Sequence, residues 1–455
     1  MNDLIDFIHH LKYEDLPSSV VKQATYCLID LLGVAASGHG TQLAKIMETF
    51  VSDQMPGQIP LLFSDQCASL SGACLFGASL IDSIDAHDGQ VLTKGHVGVA
   101  ILPALLATLS EQLNKGDELS GKELITSLII GYEVATRAGI ALHSTALDYH
   151  TSGAWNGLGV AAISARLMRL SHQQTYEALG IAEFHGPRSQ MMRCIDYPTM
   201  VKDGSGWGAL AGITSSLLAK ANFTGAPAIT MDANTLSNDA KKTAIVHRTW
   251  QDIGQRWYIQ EQYFKAYPVC RWAQPAIESI RQIQKNNPLD YTQINRIKVV
   301  TFHQAKRLHI TQPQNTEQAQ YSLPFSVASA LIDGEVSVDS IGETQAGLFH
   351  PKRIALSQKV KIEELDEYNA LFPAERWAHA IITLANGKEL QSSACIARGN
   401  PENPLTEDEM LDKFYRLTKQ SIKPSRQASI IEMCQSMADL NPKKLYEFLQ
   451  LLKPE

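Results

Sequence analysis

Apolar residues recur at helical spacing over most of the first 265 residues of the chain. A helix is predicted from Ser18, because Pro17 precedes it and Val20 begins an apolar face, with Gly33 and Gly38 as terminators. Six further helical stretches follow, several of them apolar nearly all round and rich in Ala and Gly. They are CASLSGACLFGASLIDSIDA, VGVAILPALLATLSEQL, GKELITSLIIGYEVATRAGIAL, GAWNGLGVAAISARLMRL, HQQTYEALGIAEF and SGWGALAGITSSLLAKAN. The pattern predicts a large helical domain whose central helices are buried.

The pattern changes near residue 290. Ile294–Phe302 is rich in Ile, Val and Thr, which predicts a strand, and LPFSVASALIDG predicts a short helix. The segment QKVKIEEL alternates loosely between apolar and polar residues. Farther on, the strand-like runs Trp377–Leu384 and Glu389–Ala397 flank Asn386-Gly387, the dipeptide typical of a tight hairpin. These elements predict a smaller α+β domain.

After GNPENP the chain is predicted to be helical again. Thr406 and Glu409 fit a capping box, and three amphipathic helices follow. We expect these helices to pack back on the first domain, so that the small domain is an insertion. The predicted fold is mainly α, with an all-helical domain formed by 1–268 and 400–455 and an α+β domain formed by 269–399.

Composition limits the classes of function. The chain has 455 residues, 44% of them apolar and 19% charged, as in folded globular proteins, and its net charge of −7 offers no electrostatic footprint for nucleic acid. The longest apolar stretch, Val97 to Leu109, is interrupted by Pro103 and is shorter than the roughly 20 residues of a membrane span. The seven cysteines are scattered without a CxxC pair. We therefore expect a cytoplasmic protein with neither nucleic acid nor membrane as a partner.

Four short polar segments interrupt the apolar helices. The first runs from Asp85 to His96 and includes His87, Asp88 and Lys94, so that two carboxylates, two imidazoles and a lysine stand in one loop. The loop opens onto the next helix, and the N-terminus of a helix favours an anion. The alternative is a solvated loop in which Asp85 or Asp88 caps a helix.

The second and third segments also precede apolar helices. In the second, His150 is followed by Thr151 and Ser152, which suits proton transfer and carboxylate binding; alternatively a hydroxyl caps the helix and His150 lies on the surface. The third segment carries Arg188 and Lys202 ahead of a Gly-rich helix and resembles an anion cradle, although its spacing is not that of a P-loop. The alternative is a charged surface loop.

The fourth segment lies near the boundary between the two domains, where clefts tend to form. It contains Lys265, Tyr267, Cys270 and Arg271. For Cys270 the alternative is a buried small apolar residue. No HExxH or other strong ligand spacing is present, so no metal site is predicted.

In this order, the segments resemble the MmgE/PrpD family, which includes 2-methylcitrate dehydratase, cis-aconitate decarboxylase and iminodisuccinate epimerase. The resemblance covers nearly the whole chain. It rests on FIHHLKYEDLPSSVVKQATYCLIDLLGVAASG, SIDAHDG, KGHVGVAILPALLA, YHTSG, MVKDGSGWGALAGITSSLLAKANFTGAP, KAYPVC, YSLPFSVASALIDG and NPLTEDEMLDKF. It implies a large all-helical domain, a smaller α+β lid domain (269–399, the lid) and a homodimer.

The resemblance also implies catalytic residues. Asp85 and His96 match the family's Asp and His around the first loop, with one residue inserted between them here. His150 matches the His before a hydroxyl-Gly turn, Lys202 the lysine before the Gly-rich helix, and Lys265 the lysine before an aromatic-Pro pair. We expect Asp85 to orient a histidine and fix its tautomer.

Two positions depart from the decarboxylase pattern. Gly89 stands where the decarboxylase has a Thr, and Cys270 stands where it has a His. Both differences disfavour decarboxylation of cis-aconitate. The pair Cys270-Arg271 is closer to the dehydratase and epimerase branches.

The predicted function is that of a cofactor-independent lyase of the 2-methylcitrate dehydratase type acting on a small di- or tricarboxylate. His150 and His96 would serve as general base and acid, while Lys202, Lys265 and Arg271 hold carboxylates. The other predicted substrate-binding residues are Asp88, Lys94, Thr151, Ser152, Arg188, Tyr267 and Cys270. The alternatives are an epimerase of an iminodisuccinate-like dicarboxylate, a cis-aconitate-type decarboxylase and a non-catalytic carboxylate-binding helical protein.

Overall fold

Helices account for most of the first 250 residues in the computed structural model, which describes residues 1–236 and 238–454. They are α1 (Asn2–His10), α2 (Ser18–Gly38), α3 (Gln42–Gln54), α4 (Leu70–Asp82), α5 (Gly98–Asn114), α6 (Gly121–Thr145), α7 (Gly153–Leu167), α8 (His172–His185), α9 (Met191–Asp196), α10 (Ser205–Lys220) and α11 (Ala240–Trp250). The mainly α fold and all seven predicted helices of this part are confirmed. The more polar α3, α9 and α11 were not predicted from the apolar pattern.

Gly33 does not terminate its helix, contrary to the prediction. Helix α2 continues through Gly33 and ends at Gly38. A Cβ atom at position 33 would lie 3.1 Å from the Phe414 ring. Gly33 therefore allows a C-terminal helix to approach α2 closely.

Helices α7 and α10 touch through their backbones. A Cβ atom on Gly157 would lie 2.4 Å from the carbonyl oxygen of Gly208, and one on Gly212 would lie 2.3 Å from the carbonyl oxygen of Gly157. Real Cβ atoms do not approach so closely, so this contact, the glycine seam (Gly157, Gly208 and Gly212), excludes every larger side chain. The seam fixes the starts of α7 and α10 relative to each other.

The lid combines short helices with a sheet. Its helices are α12 (Gln274–Asn286), α13 (His303–Lys306), α14 (Thr316–Gln320), α15 (Leu323–Asp333), α16 (Val338–Ile341), α17 (Pro351–Ser357) and α18 (Asp366–Leu371). The strands of the chain are β1 (Ile59–Pro60), β2 (Cys67–Ala68), β3 (Gly89–Gln90), β4 (Gln262–Tyr263), β5 (Ile294–Thr301), β6 (Val360–Glu364), β7 (Trp377–Leu384), β8 (Glu389–Gln391) and β9 (Cys395–Ile396). In the lid sheet the order is β6-β5-β7-β8, with β5 parallel to β6 and antiparallel to β7, and β9 also pairs with β7.

The predicted strand at 294–302 and the helix in LPFSVASALIDG are confirmed as β5 and α15. The hairpin forms around Gly387, whose φ of +82° favours a residue without a Cβ atom. Its second run is not one strand, because the chain leaves the ladder at Ser393. There the backbone N–H of Ser393 donates to Gln282 Oε1 of α12 at 2.7 Å instead of to β7.

The C-terminal helices α19 (Glu407–Thr418), α20 (Pro424–Gln435) and α21 (Pro442–Gln450) follow the lid, and the capping box of Thr406 and Glu409 is confirmed. Helix α19 lies on α2. Lys413 donates from Nζ to Asp30 Oδ1 at 2.5 Å and to the Ala86 carbonyl oxygen at 2.7 Å. These buried contacts join the end of the chain to its first part; the domain limits at 268 and 400 stay a prediction.

Helices α2 and α6 are longer than the longest uninterrupted apolar stretch of the sequence, although each contains some polar residues. By length and composition, α2 and α6 could each cross a membrane. However, 67% of the apolar window of α2 and 94% of that of α6 are buried inside the protein. Such burial is typical of core helices in soluble proteins.

Candidate active site

A buried ion pair joins the first and fourth polar segments. Lys265 donates from Nζ to Asp85 Oδ1, and both side chains are almost completely buried. The Nε2 atoms of His87 and His96 lie 3.8 and 3.9 Å from the same oxygen. Burial disfavours the carboxylate, but the charge of Lys265, with smaller contributions from the histidines and Lys202, holds the pKa of Asp85 well below its usual range. Asp85 in turn raises the pKa of Lys265 against the effect of burial, so both groups are charged at neutral pH.

The Gln320 amide connects the third segment to this pair. Its Oε1 atom accepts hydrogen bonds from Lys202 Nζ at 2.7 Å and from the backbone N–H of Asp85 at 2.8 Å. Its Nε2 donates to the Ser83 carbonyl oxygen at 3.0 Å, and its own carbonyl oxygen accepts from the N–H of Cys270 at 2.8 Å. Residues from the first, third and fourth segments are thereby held around one side chain.

The protonation of His96 is set by its neighbours. Nδ1 lies 2.7 Å from the Asp88 carbonyl oxygen, which can only accept, so Nδ1 carries the proton and Nε2 has the lone pair when the ring is neutral. Burial, followed by the charge of Lys265, lowers the pKa of His96 well below its usual value. His96 is therefore a neutral imidazole whose basic atom faces the Asp85–Lys265 pair.

Ser152, in the second segment, links the backbone of His96 to the carboxyl group of Asp203. The Ser152 hydroxyl accepts from the backbone N–H of His96 at 2.8 Å and donates to Asp203, which also accepts the Ser152 N–H at 3.1 Å. Burial, followed by the neighbouring Asp82, raises the pKa of Asp203 above its usual range. A raised pKa makes Asp203 a candidate for the general acid.

Two site lysines have left-handed backbones. The φ angles are +52° at Lys94 and +47° at Lys202, a conformation that costs energy for any residue with a Cβ atom. Lys202 extends over the Tyr321 ring at 5.0 Å from its centroid. Such strain persists only where other contacts hold the residue in place. For Lys202 one of these contacts is the hydrogen bond to Gln320.

Lys94 and His150 form a second polar group beside the first. Lys94 Nζ lies 4.5 Å from the centroid of the Tyr149 ring, and the Tyr149 hydroxyl donates to the Lys94 carbonyl oxygen. The backbone N–H of His150 donates to His143 Nε2 at 3.2 Å. His150 Nδ1 is buried without a hydrogen-bond partner in the described part of the chain. This group is continuous in sequence with Ser152 and with the loop that carries His96.

Asp85, His87 and His96 offer ligand atoms within 4.8 Å of one another, a spacing that a metal ion could bridge. The Lys265 ammonium group already binds the Asp85 oxygen that would coordinate such an ion. A cation at this point would meet that charge at short range. The arrangement therefore suits an anionic ligand better than a metal ion.

The comparison with known families is decisive for the whole chain. Residues 2–238 match the MmgE/PrpD N-terminal domain, and residues 267–439 match the MmgE/PrpD C-terminal domain. The chain belongs to the MmgE/PrpD family. Similar proteins include the cis-aconitate decarboxylases of Homo sapiens (24% identity, covering 95% of this chain and 90% of the relative) and Aspergillus terreus (21%, covering 97% and 94%). A cis-aconitate decarboxylase-like protein of Aspergillus oryzae, oryM, is 21% identical, with 93% and 91% covered.

The residues that match the MmgE/PrpD pattern do not all lie in one place. The structure brings together a first set around Gln320 and the ion pair, and His150 lies with Lys94 in the neighbouring group. The first set consists of Asp85, His96, Lys202, Lys265 and Cys270, with Ser152 and Thr151 at the adjoining start of α7. Burial, followed by Asp85, raises the pKa of Cys270 to about 12, so its thiol is neutral, in agreement with a buried small apolar residue.

The carboxylate of Asp88 does not face the ion pair, contrary to the role predicted for it in binding substrate. Its Oδ2 atom accepts from the Tyr132 hydroxyl at 2.8 Å inside the helical part. Burial, followed by Asp30, raises its pKa to about 7. Asp88 contributes to the site through its backbone carbonyl, which fixes the proton of His96; Asp85, expected to fix a histidine tautomer, lies 3.9 Å from His96 Nε2, too far for a hydrogen bond.

Three further residues predicted to bind substrate have protein partners instead. Arg188 is exposed, with Nη2 3.8 Å from a Glu183 carboxylate oxygen. The Tyr267 hydroxyl donates to Glu278 Oε1 at 2.6 Å. Arg271 donates from Nη1 to a backbone oxygen of the lid at 2.7 Å. Hydrogen bonds or ion pairs with these protein groups occupy the three side chains, and their role in binding substrate stays a prediction.

Tyr263 was not predicted and explains the departure of Gly89 from the MmgE/PrpD decarboxylase pattern. Strands β3 and β4 pair Gly89 with Tyr263. A Cβ atom at Gly89 would lie 2.4 Å from the Tyr263 hydroxyl oxygen and 2.9 Å from His96 Nδ1. The tyrosine hydroxyl therefore fills the space that a threonine at position 89 would need.

Proposed function

We propose that the protein is a cofactor-independent lyase that removes or adds a proton at the carbon next to a carboxylate of a small di- or tricarboxylate, with dehydration as the outcome. The convergence of a neutral His96 with the charged Lys265 and Lys202 carries the proposal. A carbon acid of this kind is weak, so its anion needs fixed positive charge in a water-poor site. The starts of α5, α7 and α10 at the same place add partial positive charge.

In the proposed reaction, His96 Nε2 accepts the proton from carbon, and Lys265 and Lys202 stabilise the enediolate that forms. Loss of hydroxide then requires a proton donor, because hydroxide is a poor leaving group. Burial and Asp82 raise the pKa of Asp203, and Asp203 accepts a hydrogen bond from Ser152; both observations support its assignment as the source of that proton. His150, in the neighbouring group, is proposed as the second acid–base residue.

Decarboxylation is the second candidate, favoured by the names of the relatives. It breaks the bond between carbon and a carboxylate to release carbon dioxide, and the same lysines would stabilise the carbanion until an acid of the site protonates it. The decarboxylase pattern has a threonine at the position of Gly89, and the Tyr263 hydroxyl fills the space that its side chain would need in this chain. We therefore place dehydration first.

A deuterium experiment tests proton transfer at the carbon next to a carboxylate, which removes a proton in dehydration and adds one in decarboxylation. The protein is incubated in heavy water with 2-methylcitrate, citrate, cis-aconitate and an amino-dicarboxylate, and C–H loss is followed by NMR. We expect deuterium at the carbon next to a carboxylate in at least one compound, with an alkene product for dehydration or carbon dioxide for decarboxylation. A folded protein that exchanges no proton in any of them would contradict the proposal.

We further propose a homodimer located in the cytoplasm. Tyr197, Val201 and Trp207 are 75%, 73% and 55% exposed around Lys202, an apolar surface that suits burial against a second copy. We expect the double variant Val201→Glu/Trp207→Glu to be monomeric by light scattering while Phe50→Glu, on α3, leaves the mass unchanged. Equal masses for all three proteins would argue against this surface as the interface.

A further inference from the structure

Arg376 is a buried cation without a counter-charge. It stands immediately before β7 in the lid and is only 8% exposed. Its Nε atom has no hydrogen-bond partner, and no carboxylate lies within ion-pair distance of its guanidinium group among residues 1–236 and 238–454. Its neighbours are aromatic: Cζ lies 5.9 Å from the ring centroid of Tyr263 and 6.0 Å from that of Phe372. A guanidinium group buried in this way is costly unless a ligand completes its hydrogen bonds.

The neighbouring Arg271 differs from Arg376, because protein groups accept its hydrogen bonds. It also lies over the Tyr263 ring, with Cζ 4.5 Å from the centroid. Its Nη1 atom donates to Gln274 Oε1 at 3.0 Å and to a backbone oxygen at 2.7 Å, and Nη2 donates to Asn400. The donors of Arg271 are committed to the protein, whereas Arg376 keeps donors available for a ligand.

Tyr263 places Arg376 at the edge of the active site. The tyrosine ring contacts Arg376 on one side, and its hydroxyl lies against Gly89 beside His96. The loop that contains Gly89 also carries Lys94, whose ammonium group is half-buried, stacks on Tyr149 and forms no ion pair within the described ranges. Arg376 and the loop of Lys94 therefore meet at Tyr263, and the lowered pKa of Lys94, caused by burial and then by the charge of Arg376, agrees with this placement. An anion between them would relieve that repulsion.

We propose that Arg376 and Lys94 form a binding site for a second carboxylate of the substrate, separate from the Asp85–Lys265 pair that faces the reacting carbon. The inference rests on the proposed function for the identity of the ligand as a substrate. Arginine binds a carboxylate through two parallel N–H groups, and lysine adds a point charge. Because Arg376 belongs to the lid and Lys94 to the helical part, the carboxylate would bridge them. The enzyme would then select substrates with at least two carboxylates.

Binding measurements with an anionic probe test this assignment independently of turnover. Citrate and butyrate are titrated calorimetrically into the wild type, Arg376→Gln, Arg376→Lys, Lys94→Gln and the control Arg296→Gln, whose exposed arginine lies on β5. We expect citrate to bind about ten- to hundred-fold more weakly to Arg376→Gln and to Lys94→Gln. Arg376→Lys should recover part of the loss, and Arg296→Gln should equal the wild type. Butyrate, with one carboxylate, should show no difference among the five proteins.

Thermal unfolding separates a ligand-binding arginine from a structural one. Removal of an unpaired buried cation should leave the melting temperature of Arg376→Gln unchanged or raise it. A lower melting temperature together with normal citrate affinity would overturn the inference, as would normal affinity in both Arg376→Gln and Lys94→Gln. If citrate binding falls in these variants while no compound is turned over, the site stands and the proposed lyase function fails. If the wild type exchanges substrate protons but citrate affinity does not depend on Arg376 or Lys94, the function stands and this site fails.

Discussion

Lys265→Met is expected to lower the free energy of unfolding by about 3–5 kcal/mol and to abolish turnover. The substitution keeps the volume of the side chain but leaves the Asp85 carboxylate buried without its counter-charge. Equilibrium unfolding in urea would measure the loss. The double variant Asp85→Asn/Lys265→Met removes both charges and should recover most of the stability, yet remain inactive because the cation that stabilises the enediolate is missing.

Through Asp85, the stabilities of the wild type and of Lys265→Met should depend on pH in opposite directions. In the wild type, the folded pKa of Asp85 lies below its unfolded value, so its contribution is present above about pH 4 and is lost only as the pH falls well below that. In Lys265→Met, burial without the lysine raises the folded pKa above the unfolded one. The variant should therefore become more stable relative to the wild type on acidification. A single variant as stable as the wild type at neutral pH would show that the pair is not ionised.

The second large effect is expected for His96→Gln, with kcat/KM lower by about a hundred- to ten-thousand-fold and little change in stability. Glutamine can still donate to the Asp88 carbonyl oxygen, as His96 Nδ1 does, but it has no basic nitrogen in place of Nε2. The exposed His247 of α11 provides the matched control, and His247→Gln should retain full activity. Steady-state kinetics and circular dichroism of the three proteins would check both parts of the prediction.

The acid limb of the wild-type pH profile tests the same assignment. Because burial and Lys265 lower the pKa of His96, kcat/KM should remain high through pH 6.5 and decline only at more acidic pH. In His96→Gln the residual activity should have no such limb. A limb that persists in His96→Gln would assign the base to another group, with His150 the next residue to replace.

Much of the helical framework could be predicted because its helices are apolar on most sides, a pattern that does not depend on distant residues. The apolar pattern did not predict the amphipathic α12. It also wrongly predicts a helix end at Gly33, because the contact that explains this glycine is with Phe414, nearly four hundred residues farther along the chain. The second hairpin strand was too long because Gln282, more than a hundred residues earlier, binds the Ser393 backbone.

The polar loops could be found from sequence because titratable groups stand where apolar helices begin. The partners of these groups could not be found in this way. Gln320 is important because it binds both Lys202 and Asp85, which are 118 and 235 residues away along the chain. The direction of a side chain is equally invisible in a loop. Asp88 is therefore a plausible ligand by composition, although its carboxylate faces Tyr132 in the helical part.

The glycine seam between α7 and α10 has a consequence for how such a protein can change over generations. The seam admits no side chain, so substitutions there cannot shift the helix starts that follow Ser152 and Lys202. Arg376, by contrast, is bordered by aromatic rings rather than locked in ion pairs. We therefore expect inherited variation in substrate choice to accumulate on the lid side, while the helical side keeps the same proton chemistry.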